Sequence, residues 1–107
     1  MADPLLIKFM LAAENGAKLL DRASPFWYRH IDFRQLSMAC GGSCILGQVY
    51  SDYFDGLHEL GLTDSLAVTY GFQIRYEDWK NRPNAFPALR SYWVGEIAQR
   101  LTADQLR

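Results

Sequence analysis

The chain has 107 residues, half of them hydrophobic and 14% aromatic, with a formal net charge of −1. A chain of this length folds as one domain that buries about two thirds of its unfolded surface, so residues 1–107 are read as a single unit needing no staples. Near-neutral charge supplies no basic field to hold a phosphate backbone, which argues against nucleic acid as a partner.

Leu5 to Ala13 is apolar apart from Lys8, and Glu14, Asn15 and Gly16 follow. That run falls far short of the roughly 20 residues a membrane span requires and has no basic segment before it. With only Cys40 and Cys44, the chain is also no disulfide scaffold, and a reducing, cytoplasmic location is expected.

In chain order, Leu6, Phe9, Met10, Ala13, Ala17 and Leu20 recur at three- and four-residue steps. This spacing predicts a first helix over about 5–22, with Asp3 as its cap and Pro4 in its first turn. Gly16 lies inside the pattern and predicts either a kink or a close helix neighbour. "SPFWYRHIDFRQLSM" predicts two short helical turns packed through Phe26, Trp27, Ile31, Phe33 and Leu36. A second main helix is predicted over about 44–60, with Ile45, Leu46, Val49, Tyr50, Tyr53, Phe54, Leu57 and Leu60 facing the core. Gly61 then ends it in the left-handed conformation, with Leu62 folding back. Residues 64–70 are read as a short helix in preference to a strand near 67–75, which would make the fold α+β. Residues 75–87 are read as a loop and about 86–101 as the third main helix, its inner face Phe86, Leu89, Trp93, Ile97 and Leu101. The fold class is therefore mostly α, a compact bundle of three main helices.

Chemistry concentrates in "ACGGSCILGQVYSDYF". Two cysteines and two histidines make up a tetrahedral zinc set. On a straight helix, however, His58 would lie about 21 Å from Cys44, so neither metal nor a Cys–His catalytic pair is expected, and no cofactor is assigned. A thiol at a helix start faces unpaired amides that lower its pKa, which keeps open a thiol-dependent redox or metal-binding role for Cys40 and Cys44, with Cys44 the first suspect. "GGS" before a helix also has the look of an anion cradle, but no Lys follows as in a P-loop. The plainer reading is a tight turn in which Ser43 caps the helix and both cysteines pack as small apolar groups. Asp52, Asp55 and Glu59 are read as a solvated helix face.

The aromatic residues carry the remaining signal. Trp27, Tyr28, Trp79, Tyr92 and Trp93 are too many for the interior of so small a chain. Tyr28 and Trp79 sit among charged residues, and large aromatic side chains at a surface are common interface anchors. Trp27, Tyr28 and Trp79 are accordingly the candidate contact residues for a protein partner, and a homo-oligomer is compatible with the same surface. An interaction or regulatory protein is preferred over an enzyme.

The pieces "LLDRASPFWYRHIDFRQLSM", "CILGQVYSDYFDGLHELGL" and "YGF" resemble a family of uncharacterised small proteins of actinobacteria and their phages. Members carry a Trp, an Ile-Asp pair, a short Leu-rich link and a Cys-x-x-Cys leading into Val/Ile-Leu-Gly-Gln. Here Cys40 and Cys44 are separated by one residue more. The resemblance implies a phage or bacterial cytoplasmic setting and carries no activity; in a phage-encoded interaction protein the expected partner is a host protein.

Overall fold

Asp3 ends its extended backbone by accepting a 2.9 Å hydrogen bond from the Leu5 amide, and Pro4 opens α1, Pro4–Ala23. The computed structural model describes residues 3–107. Along α1 the residues Ala12, Ala13, Gly16 and Ala17 form a buried small-residue strip. Against it packs α6, Ala85–Gln105, the longest helix, through buried Leu89, Trp93 and Ile97. The close neighbour implied by Gly16 is there: a Cβ at this position would overlap the Tyr70 carbonyl oxygen and lie 2.8 Å from the Trp93 ring.

Between these two helices the chain makes a 3-10 turn at Trp27–His30 and four short helices: α2 (Ile45–Tyr50), α3 (Tyr53–Leu60), α4 (Asp64–Thr69) and α5 (Tyr76–Trp79). The described residues contain no strand, and 64–69 is helical, capped by the Thr63 hydroxyl accepting from the Leu66 amide. Both α3 and α4 end in the same way. Gly61 (φ 67°) and Gly71 (φ 74°) take the left-handed conformation, and the amides of Leu62 and Phe72 reach back to the carbonyls of Leu57 and Ala67 at 2.9 Å. These are glycine-terminated helix ends with an apolar residue folded onto the last turn.

The helix expected over 44–60 is two helices. Ser51 has φ 81°, a conformation that L-residues rarely adopt, and Asp52 then caps α3 by accepting from the Phe54 amide at 3.1 Å. The break re-phases the second half. Tyr53 and Leu57 remain buried, while Phe54, assigned to the core stripe by periodicity, is 70% exposed. Asp52 belongs to a cap, not to a free polar face. There are three further departures. Leu6 and Met10 of the α1 stripe are exposed, Phe26 and Phe33 lie at the surface, and 76–79 forms one helical turn inside the expected loop.

The core centres on Trp27 and Trp93, both fully buried and perpendicular at 5.7 Å between ring centroids, with Phe72 stacked on Trp93 at 5.3 Å. The Trp27 indole N–H donates to Asp21 at 3.0 Å, so its polar atom is satisfied. The radius of gyration is 13.2 Å, in keeping with the roughly 13 Å of one compact 100-residue domain. No helix among the described residues is long and apolar enough to cross a membrane.

Candidate functional site

The loop from Ser37 to Cys44 is built on its own backbone. Ser43 and Cys44 amides both donate to the Cys40 carbonyl, at 3.2 and 2.9 Å, and the Ser37 amide donates to the Ser43 carbonyl at 3.3 Å. The loop lies against α2 at Gly47, where a Cβ would overlap the Gly41 carbonyl oxygen. Gly47 is thus the glycine that close approach demands, whereas Gly41 and Gly42 have no positive φ and no crowding at a Cβ. Gln48 clamps the loop from the other side. Its side-chain amide accepts from the Asp32 amide and donates to the carbonyls of Asp32 (3.2 Å) and Ser43 (3.0 Å).

Cys44, not Ser43, caps α2: its sulfur accepts from the Gly47 amide at 3.4 Å, and its thiol donates to the Gly41 carbonyl at 3.6 Å. The side chain is 2% exposed, and burial pushes its pKa up. Cys40 is the opposite case. It is exposed, and the Ser43 hydroxyl, followed by the backbone amides of Gly42 and Ser43, favours its thiolate and holds its pKa below the ordinary thiol value. The expectation that the helix-start cysteine is the activated one is therefore reversed: desolvation outweighs the helix end at Cys44, and local donors act on Cys40. Of the amides that would cradle an anion at "GGS", that of Ser43 donates to the Cys40 carbonyl instead.

With α2 and α3 separate, the 21 Å spacing deduced from a continuous helix no longer constrains His58. Even so, no three His, Cys, Asp or Glu side chains among the described residues come together as a metal-holding group.

The loop forms one wall of a shallow cleft of about 220 Å³, whose other walls include Tyr53, Phe54, Gln73 and Phe86. This is smaller than the roughly 300–1,000 Å³ of ordinary small-molecule pockets. The Tyr53 hydroxyl is buried without a hydrogen-bond partner, and burial raises its pKa. A larger groove of about 460 Å³ runs between the start of α1 and residues 81–85. Its charged groups, Asp3 and Arg82, already pair at 2.9 Å, and the rest of its lining is apolar side chains with the amides of Asn81 and Asn84, none of them a nucleophile.

Of the aromatic candidates, Trp27 and Tyr28 are buried, Tyr28 at 7% exposure. The neighbouring charges that marked Tyr28 as a surface residue are its own lock: Asp104, from the far end of α6, accepts from the Tyr28 hydroxyl at 2.8 Å and from Arg29 at 2.9 Å. Neither residue is free to anchor a partner without unfolding the core. Trp79 is 38% exposed. It meets Tyr76 edge-on at 5.1 Å and Phe86 at 5.9 Å, and Phe86 in turn lines the Cys40 cleft together with Phe54. Periodicity missed Tyr76 and Phe54, which are 63% and 70% exposed. The Ser51-Asp52 pair in mid-pattern was the available signal for the second, since Ser and Asp favour helix starts over interiors.

No protein-family model, curated protein or solved structure matches the chain.

Proposed function

We propose that this chain is a small interaction or regulatory protein that docks a protein partner on the aromatic surface formed by Tyr76, Trp79, Phe86 and Phe54. The observation that carries the reading is the exposed, mutually perpendicular pair Tyr76 and Trp79, backed by Phe86. Large rigid rings already held in one arrangement lose little conformational freedom on binding, and Trp and Tyr are the side chains most enriched among binding hot spots. Ions flank the patch: Lys8 pairs with Asp78 at 3.4 Å, and the Lys80 ammonium lies over the Tyr76 ring, 5.8 Å from its centroid. Charged groups around an apolar centre are the usual anatomy of a transient interface. In the phage or bacterial cytoplasmic setting that the resemblance implies, the partner is a host protein.

The test is affinity capture from bacterial lysate with wild-type protein, Trp79→Ala and Tyr76→Ala, followed by binding measurements on the captured partner. A hot-spot role predicts a loss of about 2 kcal/mol or more for Trp79→Ala, with a melting temperature close to wild type. Equal losses of binding and stability, or full retention by both variants, would remove this surface from the contact.

A further inference from the structure

Packing accounts for Cys44, which caps α2 from the interior, but not for Cys40, whose exposed side chain fills no core space. We infer that Cys40 and Cys44 form an oxidant-responsive thiol pair that closes to an intramolecular disulfide when the chain meets a hydroperoxide. The inference concerns the loop alone and stands whether or not the aromatic surface docks a partner.

Geometry comes first. The Cys44 amide donates to the Cys40 carbonyl at 2.9 Å, closing a single helical turn between the two residues. Residues four apart in such a turn have Cα atoms about 6 Å apart, inside the roughly 4.4–6.8 Å that disulfides span. The Cys44 sulfur is turned back toward the start of that turn, since its thiol reaches the carbonyl of Gly41, the residue next to Cys40. The Cβ atoms of residues four apart on such a turn lie about 5–6 Å apart, so reaching the roughly 3.5–4.5 Å of a disulfide requires the loop to tighten as well as the side chains to rotate.

The two sulfurs also divide the work. Cys40 is open to solvent beside the Ser43 hydroxyl and the Gly42 and Ser43 amides, donors that favour its thiolate. A thiolate with access to solvent is the form that attacks a peroxide. Its sulfur bonds to one peroxide oxygen as the O–O bond breaks. The alcohol or water that leaves carries away the proton the thiol gave up, and Cys40 becomes a sulfenic acid. Cys44, buried and held protonated, is sheltered from the oxidant until that point. Its sulfur then displaces hydroxide from Cys40. The S–S bond forms, the S–O bond breaks, and the hydroxide takes the Cys44 proton to leave as water. Two electrons pass from the thiols to the peroxide. A disulfide across so short a loop gains little from chain entropy and is exposed on one side, which places it among the readily reduced class.

The experiment treats reduced wild-type protein with tert-butyl hydroperoxide, removes the oxidant and unfolds the chain in guanidinium so that the buried Cys44 is reachable. Remaining thiols are then alkylated with iodoacetamide and the peptides mapped by mass spectrometry. The expected result is monomeric protein in which both thiols escape alkylation together, two hydrogens are lost and dithiothreitol restores both. Cys44→Ser keeps a favoured capping oxygen at the start of α2, and with that variant dimedone should trap the Cys40 sulfenic acid. In Cys40→Ser, Cys44 should stay alkylatable. Wild-type protein in which Cys40 is lost to alkylation while Cys44 stays free would overturn the inference. So would dimers as the sole disulfide product, or both thiols intact while a free cysteine control is oxidised. The wild-type map decides the matter even where a variant fails to fold.

Discussion

The Trp93 indole donates a 2.7 Å hydrogen bond to the carbonyl of Gly71, and that bond fixes where three helices meet. Gly71 stands at the end of α4 in the left-handed conformation, with its α-carbon so close to α1 that a Cβ would lie 2.8 Å from backbone atoms of Ala12 and Ala13. Gly16 admits the other edge of the Trp93 ring on the same side of α1. Two glycines thus hold α1, α4 and α6 together around one buried indole, and the polar atom of that indole is satisfied.

From this junction, Gly16→Ala should be among the most damaging single changes in the chain. Alanine ordinarily favours a helix by about 1 kcal/mol over glycine. Here its methyl meets backbone, which cannot rotate away, so overpacking of about 3 kcal/mol or more should reverse the sign. Urea denaturation checks this. A variant as stable as wild type would mean that α1 can move away from Tyr70 and Trp93 at no cost.

The break at Ser51 yields a contrast. Leu46, fully buried in α2, should cost about 2–5 kcal/mol when cut to Ala, as a cavity in a packed core does. Phe54→Ala should cost less than about 1 kcal/mol, the range of surface changes, because its ring is 70% exposed. A continuous helix over 44–60 would have put both side chains in the core, so similar losses in thermal or denaturant unfolding would restore that reading.

These residues also show what sequence could convey. Phe9, Ala13, Ala17 and Leu20 on α1 and Leu89, Trp93 and Ile97 on α6 were legible because each lies on a long uninterrupted helix whose period marks the inner face, although on α1 the same period also took in the exposed Leu6 and Met10. The Ser51 break was hidden by coincidence of spacing. The step from Tyr50 to Tyr53 is three residues, the same step a helix would take, so the apolar pattern runs through the break unaltered. The expectation for Tyr28 failed for a different reason. Its cover comes from Asp104, 76 residues away, and no local pattern encodes a contact of that range. At the cysteines, spacing identified a turn, but only the packed structure distinguishes the sheltered sulfur of Cys44 from the open one of Cys40.

Asp104 makes the last prediction, a dependence of stability on acid. Its carboxylate accepts from the Tyr28 hydroxyl and from the Arg29 guanidinium, and these hydrogen bonds, in that order, hold its pKa below the usual carboxylate range against the opposing effect of burial. In the unfolded chain the same group titrates near 3.9. Because the folded pKa is the lower of the two, the unfolded state binds the proton more readily. The stabilisation is complete above the unfolded value and is lost as pH falls through the folded one. Asp21 behaves in the same direction through Arg100 and Trp27, so wild-type stability as a whole should decline in acid. The share owed to Asp104 is isolated by Asp104→Asn, which cannot ionise. Denaturant unfolding of both proteins from pH 7 to pH 3 should show the variant weaker at neutral pH, with the gap between them narrowing below about pH 4. A gap that stays constant across the range would mean that the Asp104 charge contributes nothing to holding α6 on the 3-10 turn, and that the Tyr28 hydroxyl needs only an uncharged acceptor.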